Sequence, residues 1–492
     1  MTAHLPVLQV VIPLMAAALC APLRWPRIAW GLAVLVSWTA FGIAIALLAQ
    51  VLDAGTISYE IGGWAAPWGI EYRVDLVNAF VLLIVAGVGA VVAPYARDSI
   101  ESEVAPGLIP LFYAAYLLCL AGLLGIAITG DLFNVFVFLE ISSLSTYTMV
   151  AMGRDRRALT AAFRYLVMGS IGATFIVIGI GLLYSVTGTL NMADLAMRLP
   201  DVDATRAVPV AFGFLAVGIS LKLALFPLHL WLPNAYAFAP SAATAFIAAT
   251  STKVAVYMLL RVFFTIFGAD VSFGTMRLDY ILMPLALVAI VSMSLVAIFQ
   301  QNVKRMLAYS SLAQVGYMIL GISVGSATGL TAGIVHLFNH ALMKSALFLA
   351  LGCVVYRIGS VHLSQLAGLG RQMPWTMAAF SLGGLSLIGV PLTVGFISKW
   401  YLIVSVLEVG WWPVAVLIVF SSLLAVVYIW RVVEAAYFLP APEGRGVIRE
   451  APLSLLIPTW TLILANLYFG IDATLTAGVA GRAAAALLGI GS

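Results

Sequence analysis

The sequence predicts an all-α polytopic membrane protein of about fourteen transmembrane helices. Helices 4–8 and 9–13 form two inverted five-helix repeats, and helices 7 and 12 are discontinuous. Three observations carry this. Of 492 residues, 63% are hydrophobic and only 9% charged, against roughly 25% charged in soluble domains. Apolar runs of about 18 residues or more, long enough to cross a bilayer, recur from end to end. Two of these runs are interrupted by proline at corresponding places.

Cut at polar loops and prolines, the runs give helices near 5–22, 28–52, 75–94, 107–128, 131–152, 161–186, 207–238, 241–267, 279–300, 303–323, 328–356, 376–408, 412–438 and 452–471. Residues 1–106 hold helices 1–3. The first run precedes the first basic residue, Arg24; a secretory signal carries its basic residues before the apolar core, so 5–22 reads as a retained helix. The loop 53–74, with "EIGGWAAPWGIEYR", reads as an interfacial cap whose indoles suit the headgroup layer. Residues 107–267 make the first five-helix unit and 279–438 the second; five is odd, so the second runs inverted. In each unit the fourth helix is broken. "SLKLALFPLHLW" places Lys222 five residues before Pro227, and "GVPLTVGFISKW" places Lys399 eight after Pro391. Paired broken helices point to an ion path in inverted-repeat transporters, because freed carbonyls at membrane depth are tolerated only against protein or a hydrated space. Residues 439–492 hold helix 14 and an Ala/Gly-rich tail, 473–490, whose apolar signal is too weak to assign an element.

Charge gives orientation. Fourteen Lys and Arg lie near the loops after odd-numbered helices, among them Arg154, Arg156, Arg157, Lys304 and Arg305, and four, Arg73, Arg198, Arg206 and Arg277, near those after even-numbered helices. The positive-inside rule then places both termini outside. Five cations fall inside helices instead: Lys222, Lys253, Arg261, Lys344 and Lys399. Among the acids Glu140 stands out, nine residues past Asp131, roughly 14 Å into a core about 30 Å thick.

A lone ionisable group at that depth costs roughly 2.5–3.5 kcal/mol, so each asks for a reason. Glu140 and Lys222 are natural partners, either as a structural ion pair or as one whose lysine holds an exchangeable proton. Lys253 has no acid within a turn; a buried lysine of this kind exchanges protons rather than standing as a fixed charge. Arg261 stays charged and reads as structural or as a field source. His336, His340 and Lys344 share one helix face at intervals of four, as steps of one path. His-x-x-x-His suits zinc, but no third ligand lies on that face, so no metal is expected. His229, beside the break at Pro227, is a candidate linker between helix 7 and the central groups. Cys20, Cys119 and Cys353 are scattered and suggest no cluster or haem. No nucleotide loop, hydrolytic site or nucleic-acid patch is present.

Several segments together resemble the antiporter-like membrane subunits shared by respiratory complex I, Mrp-type multisubunit cation/proton antiporters and membrane-bound hydrogenases. They are "GDLFNVFVFLEISSLSTY", "LKLALFPLHLWLPNAYAFAPSAATAFIAATSTKVAVY", "QQNVKRMLAYSSLAQVGYM", "HLFNHALMKSALFLALG" and "GVPLTVGFISKW", and the likeness runs through nearly all of helices 1–14. The resemblance implies that Glu140 pairs with Lys222, that Lys253 is the central relay, that His336, His340 and Lys344 link two half-channels, and that Lys399 completes a proton path. Lys399 departs from the subunit type with glutamate there, and the chain lacks the long C-terminal extension of the largest members. "EISSLSTYTMVAMGRDRRALTAAFRYLVMGSIGATF" looks most like the D-type subunit of Mrp antiporters. That implies a bacterial plasma-membrane protein working with a large A-type subunit, a C-type subunit and small membrane subunits. It implies exchange of H+ for Na+ (or K+ or Li+), with no cofactor of its own. A proton-pumping subunit of a complex I-type or hydrogenase complex is the alternative. A stand-alone permease for an organic solute fits poorly with so many linked ionisable residues.

Overall fold

The computed structural model describes residues 2–202 and 205–490. Among them, eleven helices are long and apolar enough to cross a membrane. Three further crossings complete the expected fourteen: helix 1 (Leu5–Cys20), helix 7 as halves 7a (Ala207–Leu223) and 7b (Leu232–Phe238), and helix 12 as halves 12a (Pro374–Ile388) and 12b (Val394–Glu408). The remaining helices are 2 (Pro26–Ala54), 3 (Leu76–Glu103), 4 (Ile109–Ile128), 5 (Leu132–Ala151), 6 (Arg157–Thr187), 8 (Ser241–Leu260, continued by a π-helical turn Arg261–Ile266), 9 (Asp279–Ile298), 10 (Val303–Ser323), 11 (Ala327–Ile358), 13 (Trp412–Tyr437) and 14 (Leu453–Ile471).

Helix starts follow local chemistry. Asp75 and Asn78 form a capping box at helix 3, while Asp131, Asn302 and Ser326 accept from the first-turn N–H groups of helices 5, 10 and 11. Each satisfies backbone donors that lipid would leave bare. The breaks combine proline with left-handed residues: Ala224 (φ 59°) ends helix 7a before Pro227, and Gly389 (φ 94°) and Leu392 (φ 71°) flank Pro391.

Helices 8, 10 and 11 form the buried centre, whereas helices 6, 9 and 13 leave Leu159, Phe163, Val288, Val416 and Leu423 bare, as lipid-facing helices do. Corresponding helices of the two units take corresponding neighbours. Helix 4 packs on 5 as 9 packs on 10, 6 packs on 7a as 11 packs on 12, and 8 returns to 4 as 13 returns to 9. Small residues set the closest approaches. A Cβ on Gly218 of helix 7a would lie 2.8 Å from the Gly172 carbonyl of helix 6 and 2.9 Å from the Ile176 nitrogen, whereas one on Gly213 would meet nothing within 4 Å. Gly218→Leu is therefore expected to cost about 1–3 kcal/mol, read as a lower melting temperature in detergent, with Gly213→Leu unchanged.

The structure departs from the sequence reading in four places. Helix 3 continues through Pro94 to Glu103, nine residues further than expected, because surrounding helices cover the backbone groups that proline frees. The segment before helix 7 contains an amphipathic helix, Met192–Val202, with Met192, Leu195 and Leu199 buried and an Asp194–Arg198 pair at 2.9 Å on its other face. The tail forms a further helix, Thr474–Leu487, whose small residues lie against helices 11 and 3. Lys304, counted among the cations near the loops, is 4% exposed. The cap in 53–74 is an antiparallel hairpin, Ile57–Glu60 with Glu71–Val74, and Trp64 and Trp68 stand bare at its tip.

Candidate functional site

Helix 5 carries Glu140 at mid-depth, and the end of helix 7a delivers Lys222 to it, Nζ 3.5 Å from Oε1. Lys222 sits in the last turn of its half-helix, where the partial negative charge of unpaired carbonyls favours a cation. Its ammonium also donates to Ser143 Oγ at 2.9 Å and to Tyr147 Oη at 3.5 Å. Trp231 Nε1 donates to the Leu221 carbonyl at 3.1 Å, so the break leaves few backbone groups unanswered.

Lys253 lies on the buried helix 8 at 0% exposure. Its ammonium folds back onto its own helix, onto the Ala248 carbonyl at 2.5 Å and Thr252 Oγ1 at 3.3 Å, and no acid is within ion-pair distance among the described residues. Between Lys222 and helix 8 lies a cavity of about 30 Å³ lined by Ser143, Lys222, Ser251 and Val254, room for about one water.

On helix 11 the rings of His336 and His340 stack with centroids 5.9 Å apart and planes 2° from parallel. His336 Nδ1 is 2.7 Å from Ser398 Oγ of helix 12b, the neighbour of Lys399. Lys399 reaches back across the break: Nζ donates to the carbonyls of Leu387 (3.1 Å) and Ile388 (2.8 Å) at the end of 12a, and to Ser422 Oγ of helix 13 (3.0 Å). It also stands 5.1 Å above the Tyr317 ring, whose edge meets His336. Both nitrogens of His340 and Nε2 of His336 are buried without a partner among the described residues, a costly arrangement in a purely structural core.

The structure thus brings Glu140 to Lys222, and His340, His336 and Lys399 to one another through Ser398 and Tyr317. Lys344 is on the same stripe but turns away to helix 10, donating to the Leu307 carbonyl (2.9 Å) and to Ser310 Oγ. His229 is not joined to the string; its ring lies against Phe226 and its Nδ1 has no partner among the described residues. Arg261 pairs with Asp75 of helix 3 at 2.6 Å, with Tyr257 Oη at 2.9 Å. Sequence reasoning passed over Asp75, and with it Ser398, Tyr317 and the Glu103–Lys304 pair at 4.0 Å. For Lys304 a signal was present: the helix read at 303–323 already holds it, and Asn302 reads as an N-cap, which sets Lys304 in the first turn.

Fourteen membrane-crossing helices among the described residues, two of them broken, around a string of buried cations define the antiporter-like class of membrane subunits. The chain belongs to the family described as NADH:quinone oxidoreductase/Mrp antiporter, whose membrane region its residues 129–425 match. It is 42% identical to NADH-quinone oxidoreductase subunit N of Desulforudis audaxviator over 96% of each chain. It is 34% identical to the D-type subunit of the Na(+)/H(+) antiporter of Alkalihalophilus pseudofirmus, over 74% of this chain and 72% of that one. Among solved structures it resembles a chain of the Mrp complex from Dietzia sp. (TM-score 0.89, 27% identity, covering 99% and 97%). A chain of the membrane-bound sulfane sulfur reductase, an archaeal respiratory membrane complex, is equally similar (TM-score 0.89, 32% identity, covering 99% and 98%).

Proposed function

We propose that the chain is the proton-translocating subunit of a multisubunit monovalent cation/proton antiporter, with Na+ (or K+ or Li+) exchanged for H+. Protons move along Glu140, Lys222, Lys253, His336, His340, Lys344 and Lys399. The observation that carries this is the string itself: buried titratable groups span both broken helices, one end held by the Glu140–Lys222 pair and the other by Lys399 bound to the end of helix 12a. In this reading residues 107–267 and 279–438 are two inverted half-channels, with helix 3 and helix 14 packed beside helix 11. The arginine-rich face is cytoplasmic, both termini are outside, and the membrane is a bacterial plasma membrane. Moving Lys304 out of the loop count leaves the charge bias at thirteen to four, still strongly positive-inside.

The mechanism is electrostatic. Two unit charges 4 Å apart at an effective dielectric of 20 attract by about 4 kcal/mol, and moving one charge against 100 mV costs about 2.3 kcal/mol. Separation of Glu140 from Lys222 therefore changes a proton's energy by more than the membrane potential does. A proton arriving at the pair weakens it and drives the next one onward. Glu140 also argues for partner subunits: its side chain is 31% exposed at mid-membrane depth, on a face with bare Phe133, Val137 and Leu144. A carboxylate there is costly against lipid and calls for a neighbouring protein chain as cover.

A second reading, favoured by the 42% identity to a quinone oxidoreductase subunit, is a proton-pumping subunit of a redox-driven complex, with the redox centres in other chains. Everted vesicles expressing the whole complex separate the two. Under succinate respiration an acridine dye reports acidification; Na+ is then added. Na+ should collapse the gradient with the wild-type chain and fail with Glu140→Gln, which loses at least nine-tenths of the response. If Na+ does nothing in either while NADH-driven acidification is lost in the variant, the chain belongs to a redox pump.

A further inference from the structure

On the arginine-rich side the loops after helices 3, 5, 7, 9 and 11 converge around an open cavity of about 650 Å³. At its base, under a rim that includes Arg154, Asp155 and Ser360, lie Glu103 and Lys304. Three elements meet there: the end of helix 3, the start of helix 10 and the first residue of helix 8. Glu103 Oε2 accepts from the backbone N–H and the hydroxyl of Ser241, both at 3.0 Å, and its Oε1 accepts from Ser99 Oγ at 2.7 Å. Lys304 Nζ donates to the same Ser241 hydroxyl at 2.9 Å and to the Ala239 carbonyl at 3.3 Å. Ser241 is fully buried, and its hydroxyl receives from the lysine while donating to the carboxylate. A carboxylate, a hydroxyl and an amine in series, wet at one end and dry at the other, is the arrangement a proton needs to leave water.

The inward continuation is on helix 10. Lys344 rests on Leu307 and Ser310, three and six residues past Lys304, or about 9 Å at most along the helix. The turn of Lys344 away from the histidines, which the axial path leaves unexplained, sets its ammonium on the same helix as Lys304.

We propose that the cavity is a cytoplasmic proton entrance that meets the axis at the joint between its two halves, with Glu103 as the loading carboxylate. A hydronium ion protonates Glu103; the acid proton passes through the Ser241 hydroxyl to the neutral amine of Lys304, restoring the carboxylate and leaving an ammonium; Lys304 then delivers to Lys344. Nothing is oxidised or reduced. The charged or titratable groups lining the cavity with Glu103 are Lys304 from helix 10, Tyr356 from helix 11, and Arg154, Asp155 and Arg157 from the loop after helix 5 and the start of helix 6; Ser99 of its own helix is neutral. This rests on the proton path proposed above.

The competing role for Glu103 is a mere cap on the N-terminus of helix 8, and the test separates the two. Cysteine is placed at Ser360 in the whole complex, and everted vesicles are treated with a membrane-impermeant, negatively charged methanethiosulfonate. The three native cysteines are all at 0% exposure, so wild type is the unlabelled control. Labelling should cut exchange at least fivefold relative to the same vesicles untreated; full activity with labelling verified by mass overturns the entrance. In Glu103→Gln, which keeps an acceptor for Ser241, exchange should lose its dependence on cytoplasmic pH while half-saturation for Na+ is unchanged. A raised Na+ half-saturation with an unaltered pH profile assigns the cavity to the cation and also overturns the proposal. An inactive Glu140→Gln alongside a fully active labelled complex sinks the entrance but leaves the path standing; an active Glu140→Gln sinks the path itself.

Discussion

Lys253→Met should abolish transport, to below a twentieth of wild type, in a complex that assembles at normal levels. Methionine matches the length of the lysine stem, and no acid is within ion-pair distance of the ammonium among the described residues. The substitution therefore strands no buried counter-charge, which is what makes removal of one member of a buried pair so damaging. It frees only the Ala248 carbonyl, already an acceptor in its helix, and the Thr252 hydroxyl. What it removes is the amine of helix 8 that the proposed path assigns to holding a proton. Lys253→Arg should fail almost as completely, because a guanidinium does not release its proton at any working pH. Dye quenching in vesicles measures both, with the content of each subunit scored on blots. Methionine retaining half the activity would remove Lys253 from the path.

Asp75→Leu is the second large effect, and its target is the fold. It leaves Arg261, 8% exposed, facing Tyr257 and Thr265 without its carboxylate. An uncompensated buried charge of this kind costs about 3–5 kcal/mol, and helix 3 loses its capping box as well, about another 1 kcal/mol. Little of the single variant should reach the membrane. Asp75→Asn combined with Arg261→Met keeps a cap and removes the charge, so expression and melting temperature should largely recover. If the double variant is as stable as wild type yet transports poorly, Arg261 acts on the path through its field. Recovery of both readouts makes it a structural clamp between helices 3 and 8.

What was legible in the sequence follows from what lipid enforces. A span must be apolar throughout, so helices 2 to 6 and 8 to 11 announced themselves, and a proline such as Pro227 or Pro391 inside a span announced its break. Glu140 and the mid-span lysines Lys222, Lys253, Lys344 and Lys399 stood out because any charge stands out in such runs. Met192–Val202 did not, since eleven residues with three charges and a proline look like a loop. The terminal helix did not, because alanine and glycine bury well against a neighbour but carry little hydropathy. Pairings over long separations were the least legible. Asp75 and Arg261 are 186 residues apart, and Glu103 and Lys304 read as surface charges until the folding of three helix ends encloses them. The spacing of Lys344 gave its face but not its direction, because periodicity fixes a face and not the rotamer on it.

The grip of Lys399 on the end of helix 12a closes a count. An ammonium has three N–H bonds, and three oxygens take them: two main-chain carbonyls and Ser422 Oγ. Once the proton departs, the amine offers two hydrogens and one lone pair to the same three oxygens. A carbonyl cannot donate, so the vacancy falls to Ser422, whose hydroxyl now points at the Ile418 carbonyl and must swivel to fill it. Protonation of Lys399 is thereby written into the orientation of a single hydroxyl on helix 13, and on the proposed path that hydroxyl is a one-bit record of whether the final position is loaded.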